Sequence, residues 1–243
     1  VEPGYPLPVE LTVGAGGASA QVKGELGEPT KLKNITLAIT AEGPSITKIT
    51  KLAGVNGVPE LGAFKVQAGV TDAAGSLAVE KLDIQIGNQE LAAISLTGEL
   101  RDVVALQGVR LNISAQGQDS ANLTQLGLPT LPERGAFQVN AQITDPEAKV
   151  YTVNDLRIVL GDNEIDGHID LSLAEKAPFL TAKLTSQKFR YGQLKLDLEM
   201  TDPFGKPAIE KIDLKMGHPD LAKIHLNGKV GNLMELQGVN IAF

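Results

Sequence analysis

Two segments of the chain are close copies of one another. GAFKVQAGVTD, Gly62 to Asp72, and GAFQVNAQITD, Gly135 to Asp145, agree at seven of eleven positions. A third version, GQLKLDLEMTD from Gly192 to Asp202, keeps the opening Gly, the closing Thr-Asp and the alternation between them. Recurrence of one short unit marks a repeat architecture, in which a unit that cannot bury its own apolar side stacks on the next. The alternation has the period of a strand, since successive side chains point to opposite faces. Each copy therefore sets an aliphatic stripe on one face: Val66, Ala68 and Val70; Val139, Ala141 and Ile143; Leu194, Leu196 and Leu198.

A second motif checks the register. GELGEPTKLKNITLAIT opens at Gly24, GELRDVVALQGVRLNIS at Gly98 and GKVGNLMELQGVNIAF at Gly228. Each carries Leu eight residues on (Leu32, Leu106, Leu236) and Asn or Gly ten on (Asn34, Gly108, Gly238). Gly98 to Gly228 is 130 residues, and so is Gly62 to Gly192. Two unconnected motifs share one spacing, so the repeat is real. The copy at Gly135 lies 73 residues after the first and 57 before the third, so the third unit is the shorter. The reading is one continuous array over 1–243, with units near 1–61, 62–134, 135–190 and 191–243. The chain opens without Met and stops inside a strand-like NIAF, which reads as a piece of a longer protein.

Between the copies almost every stretch alternates. VEPGYPLP is an extended lead-in, and VELTV with ASAQVKGEL forms a hairpin around GAGGA, since period-two patterning bounded by glycines is the hairpin signal. GDNE at Gly161 to Glu164 reads as a tight turn. Two segments break the strand pattern. In SITKITKLAG, Ile46, Ile49 and Leu52 follow a Ser N-cap and precede a Gly stop, which predicts a short helix. DSANLTQLG, Asp119 to Gly127, holds the same relative place and is a second helix candidate. The fold class that follows is all-β and mainly antiparallel, a curved repeat sheet forming a groove or an open sandwich, with one or two short helices.

Composition narrows function. A net charge of -7, with no basic cluster and an aromatic content of only 4%, removes both the phosphate-binding surface and the stacking platforms that nucleic acid needs. With no cysteine there is no disulfide, thiolate metal site or cysteine nucleophile. No apolar run approaches the roughly 18 residues of a membrane span. The three histidines, His168, His218 and His225, are scattered, and no zincin, nucleophile-elbow or phosphate-loop pattern occurs. Asp162, Glu164, Asp166 and Asp170 lack calcium-loop spacing and read as a turn and a polar strand face. Asp145 and Asp202, each before Pro, read as turn initiators. Neither catalysis nor a cofactor is indicated. What must be explained is the aliphatic face, because each fully buried Val, Ile or Leu is worth roughly 1.5 to 3 kcal/mol. It is covered by a second layer, as a dry core, or it holds something apolar.

With the repeat laid out, the chain resembles the AsmA-like family of bacterial envelope proteins, relatives of TamB. The likeness rests on LPTLPERGAFQVNAQITD, VYTVNDLRIVLGDNEIDGHIDLSL, APFLTAKLTSQKF and the GELRDVVALQGVRLNIS block. It covers essentially the whole chain, most clearly Leu128 to Phe189. Where such proteins often have Gly-Pro-Phe, this chain twice has Gly-Ala-Phe. The resemblance implies a periplasmic protein anchored in the inner membrane through a segment outside this chain. It further implies repeated sheets that form an apolar groove for phospholipid or other acyl chains passing between membranes, and a role in outer-membrane biogenesis. The nine stripe residues above are then groove-lining. The reading from another class is a β-sandwich structural or adhesion module, with the same nine residues in a closed core.

Overall fold

A computed structural model of the chain describes residues 6–28, 31, 33–52, 60–126, 135–174, 177–189, 192–217, 223–233, 235 and 237–242. The lead-in Val1 to Tyr5, the LPTLPER stretch, the glycine stops Gly54 and Gly127, and His218 lie outside them. The chain divides into two units, Val1–Phe137 and Gln138–Phe243. In the first, β1 (Leu7–Ala15), β2 (Ala18–Glu28), β3 (Lys33–Gly43), β4 (Phe64–Thr71), β5 (Ala78–Asn88), β6 (Ala92–Asp102) and β7 (Gln107–Gly117) pair antiparallel in chain order. Strand β8 (Phe137–Glu147) opens on the boundary residue. Then come β9 (Val150–Leu160), β10 (Asn163–Ser172), β11 (Phe179–Phe189), β12 (Gly192–Thr201), β13 (Ala208–Gly217), β14 (Lys223–Val230) and β15 (Asn240–Ala242), again paired antiparallel with chain neighbours. Within each unit the sheet is antiparallel, curved and open.

Register follows from the aliphatic pattern, because a slip of one residue would turn every stripe over. In the first unit one cross-strand row runs Val13, Ala20, Ala41, Val66, Ile84, Leu96, Ile113. The adjacent row, on the other face, is polar from Ser19 through Glu42, Lys65, Gln85 and Ser95 to Ser114. In the second unit the corresponding row is Leu156, Gly167, Leu184, Leu196, Leu214, Leu226.

In three of the repeats strict alternation fails at one shared place, and β11 carries a further irregularity between Ser186 and Phe189. In Val79-Glu80-Lys81-Leu82 the residues Val79 and Leu82 pair with Leu100 and Gly98, so two residues of β5 oppose Glu99 alone. Val153 and Leu156 do the same against Ile169 and Gly167, and Ile209 and Ile212 against Val230 and Gly228. These are β-bulges, and the extra residue returns the strand to its face after two polar side chains. Lys81 (φ 52°) and Asp155 (φ 50°) take the left-handed conformation there. As a result Val79, Val153 and Ile209 join the aliphatic face.

The tenth position of the second motif has an equally local cause. Asn34, Gly108 and Gly238 all sit at positive φ, 56°, 68° and 66°. Only Gly, and after it Asn, adopts that conformation cheaply. The Thr-Asp ending of the first copy also has a structural role, because Asp72 accepts the backbone N–H groups of Asn34 (2.9 Å) and Ile35 (2.6 Å) where β3 begins. Asp202 starts a turn as expected, accepting from Lys206 N–H at 2.7 Å. At Asp145 the outcome differs, because β8 runs on through Pro146 and the turn falls at Lys149, φ 62°.

The first helix, α1 (Ile46–Leu52), is capped by Ser45 Oγ, which accepts the N–H of Lys48 at 3.3 Å. The second candidate folds instead as a 3-10 helix, Ser120–Leu126. Its start is held by short bonds that favour the tighter winding: Asp119 accepts from Ala121 through its carboxylate (2.9 Å) and from Asn122 through its carbonyl (3.1 Å). The Asn122 side chain then reaches Glu90 O at 2.7 Å.

Candidate functional site

The chemistry of the two faces is sharply divided. On the polar face of the second unit, Lys211 binds Asp197 (2.7 Å) and Glu199 (3.4 Å), Arg157 binds Glu164 (2.9 Å), and His168 meets Asp170 (3.0 Å). Glu164 is also 3.7 Å from Lys188, so the acidic run that could suggest calcium has cations among its partners. Among the described residues no group of three or more His, Asp or Glu could hold a metal ion. Exposed pairs of this kind add little stability, typically ~0 to 1 kcal/mol each.

Asp213 of that face is held by two basic side chains. His225 Nε2 lies 2.8 Å from Oδ1 and Lys215 Nζ 3.3 Å from Oδ2. The histidine hydrogen bond, and secondarily the lysine, hold its carboxyl below the ordinary range. A depressed folded value stabilises the fold above the ordinary carboxylate pKa, and that contribution is lost as pH falls through the folded value. His225→Ala should therefore raise the Asp213 pKa and flatten the acid limb of stability against pH. Carboxyl-carbon NMR titration reads the first effect; an unmoved Asp213 would refute the assignment.

The aliphatic face is of a different kind. Val66, Ala68 and Val70 lie on β4, Val139, Ala141 and Ile143 on β8, and Leu194, Leu196 and Leu198 on β12; all nine are half-buried. Register places the β4 trio beside Ala41, Ile39 and Leu37, and the β12 trio beside Met216, Leu214 and Ile212. Fully buried apolar residues are few, and Ala18, Phe64, Ala78, Ala92 and Phe137 each open a strand. Five of the buried apolar residues thus open strands, with Val109, Leu156, Ala182 and Val230 buried elsewhere, while much of each aliphatic stripe stays partly open. At the free edge Leu11 and Val13 are 54% and 51% exposed.

One feature of this face had no sequence signal. Ser186 stands opposite Leu194, where the earlier repeat has Gly43 opposite Phe64. A small residue faces a large one in both, and Leu with Ser fills the space of Phe with Gly. Ser186 is 1% exposed and its Oγ has no hydrogen-bond partner among the described residues. With Leu194, Met216 and Ile224 it borders a groove of ≈ 460 Å³ at the ends of β11 to β14. Alternation alone marks position 186 as inward and gives no reason for a hydroxyl.

No helix among the described residues is long and apolar enough to cross a membrane. Comparison of the chain with family profiles, with curated proteins and with solved structures returns no match.

Proposed function

We propose that the chain is a non-enzymatic, periplasmic segment of an AsmA-like envelope protein, and that its aliphatic faces carry the acyl chains of phospholipids moving between the two membranes. The observation that carries this reading is the registered aliphatic stripe, which runs from strand to strand within each unit and is for the most part half-buried. Leaving such a surface in water forfeits roughly 25 cal/mol per Å², so an apolar occupant gains what a missing second layer would have supplied. In the proposal the parent protein is held at the inner membrane by a segment outside this sequence.

The test is lipid itself. Protein purified without detergent should release phospholipid or fatty acid on organic extraction and take up a fluorescent fatty acid. Ile84→Glu, which sets a carboxylate in the middle of a stripe, should cut uptake at least about tenfold through the cost of burying charge. Gln85→Glu on the opposite face should leave uptake unchanged. Absence of lipid in the native protein, with no uptake by it, would overturn the proposal and favour a structural or adhesion module.

A further inference from the structure

Strand β1 is a free edge: among the described residues it pairs only with β2. Its place in the repeat identifies the neighbour that fits it. Gly24 in β2 and Gly98 in β6 are the same position of the second motif, and they pair with Val9 and Leu82. From that anchor Leu11 corresponds to Ile84, Val13 to Ile86 and Ala15 to Asn88. Strand β1 is therefore the β5 of its own repeat. The outer side of β5 is occupied by β4, the strand that opens Gly-Ala-Phe: Val66 faces Ile84 and Phe64 faces Ile86. Ala63 O accepts the Gly87 N–H at 2.7 Å, and Gly87 corresponds to Gly14.

Exposure agrees with an unpaired edge. Ile84 and Ile86 are half-buried, whereas Leu11 and Val13 are more than half exposed. Edge strands are normally blunted by charge, proline or a bulge. Pro8 serves the start of β1, but from Val9 to Ala15 the only charge is Glu10, which is paired with Lys23 at 3.2 Å. This segment stays regular in its pairing with β2, without a bulge.

We propose that the β1 edge binds an extended strand of the Gly-Ala-Phe type in antiparallel register, the first strand of a further repeat. The incoming phenylalanine lies opposite Val13, the aliphatic residue two places on lies opposite Leu11, and the alanine carbonyl accepts the N–H of Gly14. This is strand addition, in which main-chain bonds supply affinity and alternate side chains supply specificity. It is independent of what the aliphatic face carries.

The probe is the peptide GAFQVNAQITD added to the full chain, read by amide hydrogen exchange. Saturating peptide should slow exchange in Val9 to Ala15 by about tenfold or more, as new main-chain bonds form. Leu11→Asp, at an exposed position, should weaken peptide binding about tenfold while far-UV circular dichroism stays unchanged. A peptide of the same composition in scrambled order should give no protection. Unchanged exchange in β1 overturns the proposal, and so does protection confined to another strand. Protection that grows with protein concentration in the absence of peptide also overturns it, because the edge would then belong to a second copy.

Discussion

Gly98→Ala should be among the most destabilising single substitutions in the first unit, costing about 3 to 5 kcal/mol from a left-handed backbone and overpacking together. Gly98 lies at φ +146°, and a Cβ there would overlap the carbonyl oxygen of Arg110 and lie 3.0 Å from Leu111 Cα. Both are backbone of β7, so nothing flexible can give way; β6 and β7 would have to part. The same position in the other repeats is Gly24, Gly167 and Gly228, and each faces Leu37, Leu184 or Ile241 with a carbonyl close by. Against a total stability of ~5 to 15 kcal/mol, such a loss lowers the melting temperature by about 10 °C or more. Gly75→Ala is the control: φ is +92° but no atom lies within 4 Å of the added methyl. It should cost only about 1 kcal/mol. Equal losses in thermal or urea unfolding would refute the close approach as the reason for glycine.

The glycines also show how far the sequence could be read. Spacing alone located Gly24, Gly98 and Gly228, and the Asn-or-Gly position ten residues on, because identical backbone demands recur at identical offsets. The strands were legible for the same reason, since period-two alternation is a direct imprint of one face meeting a different environment from the other. The bulges were written in the sequence as well, in Val-Glu-Lys-Leu, Val-Asn-Asp-Leu and Ile-Glu-Lys-Ile. They show only when the skipped beat is noticed at one repeat position three times; singly it looks like noise. Helix type could not be read, because Asp119 and Asn122 spend their side chains on backbone groups near the turn and on Glu90, contacts invisible to a periodic pattern. Nor could alternation say whether Val66, Leu196 and their row mates are covered. That depends on whether a second layer exists, which is a property of chain path.

The polar face illustrates a different limit. Lys211, Asp213 and His225 are separated in sequence yet share a face because β13 and β14 pair with Lys215 opposite His225. Their hydrogen bonds account for the perturbed Asp213 and for the raised Lys211, which Asp197 and then Glu199 hold in the charged form. Perturbed groups often mark catalysis, but here each is explained by an exposed cross-strand partner. In the proposed reading the function rests on the opposite face, where shape and apolarity matter more than titration.

Phe64→Ala should cost about 3 to 4 kcal/mol, the usual range for deleting a buried ring. Phe64 is 7% exposed and packs over Gly43, where a Cβ would lie 2.8 Å from Phe64 Cε1 and 2.5 Å from Ala18 Cβ. The next repeat preserves the arrangement, since a Cβ on Gly117 would overlap the Phe137 ring. In the last repeat the pair is Ser186 and Leu194, a larger residue opposite a smaller one. If the two positions share one volume, Phe64→Leu alone leaves a void worth about 1 to 2 kcal/mol, and Gly43→Ser alone overpacks by about 1 to 3 kcal/mol. The double variant should then lose at least about 1 kcal/mol less than the sum of the singles, within the range found for residues in contact. Recovery stays partial because Ala18 still crowds position 43. Urea unfolding with an unchanged denaturant slope reads the coupling, and strictly additive losses would mean that the ring and the glycine are kept for unrelated reasons.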